Sequence, residues 1–140
     1  MSENPVRRLP ARVVIEALGD HLAAAAALRS RPFEALVPTR QRHRPGATME
    51  ERDLIERATR GWARRLPWKT ECFIQAIVAM RMLERRRRDV LLHYGTRRGV
   101  DGLEAHVWVS SGELPVVGHR NAHEFVEIAR FPPQKAAAGA

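Results

Sequence analysis

Cysteine is almost missing from this chain: Cys72 is the single thiol in 140 residues. One thiol cannot build an internal disulfide framework, and it points to a reducing compartment. Aromatic residues are scarce at 6%, with one tyrosine, Tyr94. They are not interleaved with the basic residues, as base-stacking surfaces require. No apolar run is long enough to span a bilayer. The N-terminal stretch after Arg7, Arg8 and Arg12 has the charge of a signal peptide, but Glu16, Asp20 and His21 interrupt it and no small-residue cleavage site follows. Acids are the minority, 16 against 24 Lys and Arg, giving a net charge of +8. No internal repeat is present. These absences leave one cytoplasmic domain of ordinary hydrophobic content, able to bury roughly two thirds of its unfolded surface.

Residues 1–10 read as a flexible lead-in and 11–66 as a helical part. Ala11 to Leu28 has a helical pattern with Val14, Leu18, Leu22 and Ala23 to Ala27 on its apolar side. Arg31-Pro32 ends it, and 37–47, rich in proline and basic residues, is a loop. Thr48-Met49-Glu50-Glu51 fits a capping box that opens a helix with Leu54, Ile55, Ala58 and Trp62 on one face. Pro67 stops that helix, and Thr70 is placed to cap the next.

Glu71 to about Arg87 is apolar nearly all round in its first three turns, the signature of a centrally buried helix. Its last turn carries Arg85-Arg86-Arg87-Arg88, which reads as a solvated helix end whose cations complement the macrodipole. The periodicity then changes to two, predicting strands over Val90 to Thr96, Ala105 to Ser110, Leu114 to Val117 and Phe125 to Phe131. Helices followed by strands predict an α+β fold: N-terminal helices, a buried helix carrying the cysteine, then an antiparallel sheet. Residues 67–131 form the expected core and 132–140 a disordered alanine-rich tail.

With Thr70 as cap, Cys72 falls at the second helical position, where backbone N–H groups and the helix dipole favour a thiolate. The same N–H groups can stabilise an oxyanion on an attacked carbonyl. Glu71 opposes thiolate formation and Lys69 assists it. On the strand at 105–110, Ala105, Val107 and Val109 share one face, and His106, Trp108 and Ser110 the other. A thiol at a helix start and an imidazole on a following strand make a nucleophile and a base. From position alone the plainer alternatives stay open: Cys72 as a small buried hydrophobe and His106 as a core-edge histidine. A zinc site using Cys72, His106, His119 and His123 is disfavoured, because 119–123 lies in a loop where the spacing of four has no helical meaning.

The stretch Leu66-Pro67-Trp68-Lys69-Thr70-Glu71-Cys72, then Gln75-Ala76, Leu91-Leu92-His93-Tyr94-Gly95, Ala105-His106-Val107-Trp108-Val109 and Phe125 to Phe131 resembles the B proteins of lasso-peptide biosynthesis. Those proteins belong to the transglutaminase-like cysteine peptidase superfamily, with its papain-like core. The resemblance covers Trp62 to Phe131. It implies a bacterial, cytoplasmic peptidase that removes the leader from a ribosomally made precursor, with Cys72 as nucleophile and His106 as base. It further implies a separate leader-recognition-domain protein and an ATP-dependent lasso cyclase as partners, and no cofactor or metal.

The family's third member is an aspartate beyond the histidine, but Val116-Val117-Gly118-His119-Arg120-Asn121 contains none. Asn121 as an amide orienter, a backbone carbonyl, or His119 would each leave a working dyad; an impaired enzyme is the remaining outcome. Two other functions compete. A basic nucleic-acid-binding or scaffold module would use the +8 charge and bind with a steep salt dependence. An amide transferase would keep the thioester and differ only in what resolves it. The expectation is a peptidase without membrane attachment or specific nucleic-acid binding, its basic surface steering an acidic leader or carrier.

Overall fold

The computed structural model describes residues 8–67 and 71–133. The expected cap at Thr70, the charge at Lys69, most of the lead-in and most of the tail therefore lie outside the described residues. Three helices come first, Ala11–Ser30 (α1), Met49–Arg65 (α2) and Cys72–Arg85 (α3), followed by the strands Leu91–Gly99 (β1), Gly102–Ser111 (β2), Leu114–Val117 (β3) and Val126–Phe131 (β4). The strands form one antiparallel sheet in the order β3-β2-β1-β4. This is the α+β architecture expected from the sequence.

Helix α3 is the centre. Ala76, Ile77, Val78, Ala79, Met80, Met82 and Leu83 are all buried, with α1 and α2 packed on it and β2 beneath it. Full burial of a residue such as Met82 or Leu83 contributes about 1.5–3 kcal/mol. Leu92, Val107, Val109 and Val116 supply the sheet's side of this core. The α2 capping box is present: Glu51 N–H donates to Thr48 Oγ1 at 3.1 Å, and Thr48 N–H donates to Glu51 Oε1 at 2.9 Å.

Three expectations need correction. Helix α1 buries Val13, Ala17, Asp20, His21 and Ala24, while Leu22 is 50% exposed. The small alanines admit a close neighbouring helix, and the buried Asp20 finds arginines there. Secondly, the arginine run is only partly a solvated helix end: Arg85 and Arg87 are exposed, but three of its four arginines hold carboxylates. Arg85 binds Asp20 with two N–H groups at 2.9 and 3.0 Å, Arg86 binds Glu16 at 2.7 Å, and Arg88 binds Glu51 at 2.8 Å. Arg81 adds a bond to Asp20 at 2.9 Å. Charge-assisted pairs of this kind join α1 to α3. Thirdly, the N-cap of α3 is Glu71, and Cys72 is the first helical residue rather than the second.

Candidate active site

The alternation along β2 sorts its side chains. Val107 and Val109 are buried against the helices, and His106, Trp108 and Ser110 take the other face. That second face is covered too, by the segment connecting β3 to β4. The result is a histidine only 8% exposed at a sheet edge, close to the start of α3.

Cys72 is half-buried at that start. Burial pushes its thiol up from the ordinary cysteine range, and the Glu71 carboxylate pushes in the same direction. Backbone N–H groups of Val107, Phe73 and Cys72 itself act against both, without reversing the shift. Burial thus works against the dipole-stabilised thiolate expected from the sequence. The Val107 N–H at the sulfur shows where the thiol sits: beside the backbone of the residue that follows His106. Cys72, Gln75, His106, Gly118, His119 and Asn121 line one cavity of about 280 Å³. Among the described residues no hydrogen bond joins the sulfur to the imidazole, an open geometry common in ligand-free thiol–imidazole sites.

The imidazole of His106 is fixed from the far side. Its Nε2 lies 2.7 Å from the carbonyl oxygen of Gly118. A carbonyl only accepts, so Nε2 carries the proton and Nδ1 is left with a lone pair. Gly118 stands where an orienting side chain was sought, and it supplies a backbone oxygen. Its φ is +82°, and a Cβ there would lie 2.7 Å from Val107 O and 3.0 Å from Trp108 Cα. Only glycine brings its carbonyl this close to β2 without strain. Asn121 lines the cavity as the N-cap of the short 3-10 helix Ala122–Glu124, but among the described residues it makes no hydrogen bond to the ring. His119 points its Nδ1–H at Val117 O, 3.0 Å away, and burial lowers its pKa to about 4, so it is neutral near pH 7.

A stack of rings holds His106 sideways. Its ring lies 5.0 Å from that of Phe125 and 5.8 Å from that of Trp108, both nearly parallel to it. Gly95, across β1 from His106, makes room: a Cβ there would lie 2.9 Å from the Trp108 indole and 3.1 Å from Phe125 Cβ. Trp108 in turn stacks on His93 at 5.4 Å with a 4° interplanar angle.

His93 is bonded at both nitrogens. Glu127 Oε1 accepts from Nδ1–H at 2.6 Å, and Ser110 Oγ lies 2.8 Å from Nε2. Burial pushes the Glu127 carboxyl up, but its bonds to Arg130 and His93 hold it below the usual range. Serine, histidine and glutamate here have the connectivity of a hydrolytic triad. They lie under Trp108, and we read them as the anchor of the ring stack.

Sequence reasoning left a backbone carbonyl open as the orienter without naming Gly118, and it gave no role to His93 or Glu127. The available signal was weak: a glycine directly after an apolar strand, and two polar residues among strand hydrophobics. Among the described residues no group of three His, Cys, Asp or Glu side chains could hold a metal. None of the described helices is long and apolar enough to cross a membrane.

The family model described as the transglutaminase-like superfamily matches residues 6–130. No curated protein and no solved structure matches the chain.

Proposed function

Because the chain belongs to the transglutaminase-like superfamily, we propose that it is a cysteine peptidase in which Cys72 attacks the scissile carbonyl and His106 moves the protons. The observation that carries this reading is the Gly118 carbonyl on His106 Nε2, which leaves Nδ1 without a hydrogen-bond partner among the described residues, on a histidine that lines the same cavity as the thiol.

In the first half-reaction Nδ1 takes the thiol proton as sulfur bonds to the carbonyl carbon, and the carbonyl π electrons move to oxygen. The N–H groups at the start of α3 face the developing oxyanion. Collapse breaks the C–N bond, and the leaving amine takes the proton from Nδ1–H. In the second half-reaction Nδ1 accepts a proton from water as its oxygen attacks the thioester. The C–S bond then breaks, the thiol is re-formed and a carboxylic acid is released. Gly118 O keeps Nε2 protonated throughout and stabilises the transient imidazolium, the part an orienting carboxylate otherwise plays.

The finer reading is removal of the leader from a lasso-peptide precursor, with a leader-recognition protein presenting the substrate and an ATP-dependent cyclase closing the ring. The order of motifs around Cys72 and His106 supports it. The test is incubation of a precursor with this protein and its recognition partner, read by mass spectrometry. Wild type is expected to release leader and core, and Cys72→Ala neither. Cleavage by Cys72→Ala would refute the mechanism. Products joined to an added amine in place of free acid would move the reading to amide transfer.

A further inference from the structure

We propose that the arginine-lined groove along α2 binds an acidic segment of the peptide substrate close to the scissile bond. This rests on the peptidase reading for the identity of the cavity beside it. The groove, about 520 Å³, is lined by Arg57, Arg60, Arg64 and Arg65 of α2 and by Arg120 of the β3–β4 connection, with Glu56 the one carboxylate in its wall among the described residues. Leu9, Val14, Ala58 and Trp62 make its apolar floor, and the Trp62 indole N–H is already engaged by Val14 O at 2.8 Å.

The groove and the thiol cavity are neighbours: Glu56, Arg60 and Arg120 belong to the walls of both. A chain leaving the Cys72 cavity past Arg120 therefore enters the groove directly.

Three of the arginines here are in a different condition from those at the end of α3. Arg85, Arg86 and Arg88 are each held by a carboxylate. In the groove, Arg60 is bonded to Glu56. Arg64, Arg65 and Arg120 are exposed and have no carboxylate partner among the described residues. Two of them sit in the last turn of α2, where a cation complements the helix dipole. Arg120 does not, yet it lines the same wall.

Dimensions favour a short peptide segment. Arg60 to Arg64 is four residues of helix, about 6 Å. Arg57 to Arg64 is about 10 Å, which an extended peptide crosses in about three residues. Acidic residues on a segment that continues past Arg120 would thus meet these guanidiniums. The apolar floor suits the side chains between them. A nucleic acid would want stacking faces along the groove, and among the described residues Trp62 alone gives its wall an aromatic ring.

The test uses the full chain carrying Cys72→Ala, so that binding is read independently of cleavage. Short labelled peptides of one sequence, containing a run of glutamates or of glutamines, are titrated by fluorescence anisotropy. An oligonucleotide of similar length is titrated beside them. The expected result is binding of the glutamate peptide about tenfold or more tighter than the glutamine peptide, weakening with salt. Combined Arg64→Gln, Arg65→Gln and Arg120→Gln is expected to lower that affinity about tenfold. Arg40→Gln with Arg42→Gln, on a separate basic cavity, is expected to leave it unchanged. Equal binding of the two peptides, or equal losses in the two variants, would overturn the proposal. So would an oligonucleotide that outcompetes the glutamate peptide for the same arginines. A protein that binds the glutamate peptide through the groove, but whose wild type never cleaves a precursor, would uphold the groove and fault the peptidase reading.

Discussion

His93 and His106 stand on adjacent strands, on the same face of the sheet, separated by the Trp108 indole. They differ in what their nitrogens meet. His93 is saturated, with Glu127 on Nδ1 and Ser110 on Nε2. Among the described residues His106 is tied at Nε2 alone, and it lines the cavity that holds Cys72. An imidazole with both nitrogens engaged anchors its neighbours; one held by a single donor bond can pass a proton. Both are strand histidines in the sequence, where the motif around His106 singles it out, and their partners give the two different capacities.

Removing the free nitrogen should give the largest effect. His106→Ala or Cys72→Ala is expected to lower kcat/KM for precursor cleavage by about 10⁴-fold or more. His93→Ala should cost far less, and equal losses at the two histidines would erase the distinction. The orienting bond comes next. Gly118→Ala places a Cβ against Val107 O at a positive φ. It is expected to cost roughly 2–3 kcal/mol of stability and about 100-fold in kcat. Asn121→Ala should change kcat less than about threefold, because Asn121 makes no bond to the ring. A large loss at Asn121 with a mild one at Gly118 would reverse the assignment.

The anchor is third. Glu127→Gln is expected to reduce kcat about tenfold with KM nearly unchanged, since the change reaches His106 only through Trp108. A change in KM alone would place Glu127 in substrate binding. The smallest effect is a pH dependence. His119 has its folded pKa lowered to about 4 by burial, so the unfolded chain binds a proton first as pH falls. Its neutral state contributes nothing adverse above about pH 6.5, the unfolded value, and stability falls progressively as pH drops from there toward 4. With solvent screening discounted, the loss is of order 1 kcal/mol, and His119→Gln should flatten that part of a Tm-against-pH curve.

Much of the scaffold was legible in the sequence because local rules govern it. Thr48 and Glu51 cap α2 by contacts within four residues, and Leu114–Val117 forms as a strand between turn glycines. What escaped was set by partners distant in the chain. The inward turn of Asp20 depends on Arg81 and Arg85, more than sixty residues away. The start of α3 at Cys72 differs by one residue from the expected one because Glu71 takes the cap position. The thiol and the imidazole could be named from the sequence, but the group that orients the imidazole could not. A backbone carbonyl leaves no residue-type signature, and Gly118 betrays itself only through the absence of a side chain.

The most direct test of the central claim uses the solitary cysteine, whose labelling reports on one site without knowledge of any substrate. The rate of Cys72 alkylation by iodoacetamide would be measured against pH for wild type, His93→Gln and His106→Gln. Near neutral pH wild type and His93→Gln should react at similar rates, and His106→Gln about tenfold or more slowly. Superimposable profiles for wild type and His106→Gln would contradict the claim, because His106 would then have no part in activating the thiol.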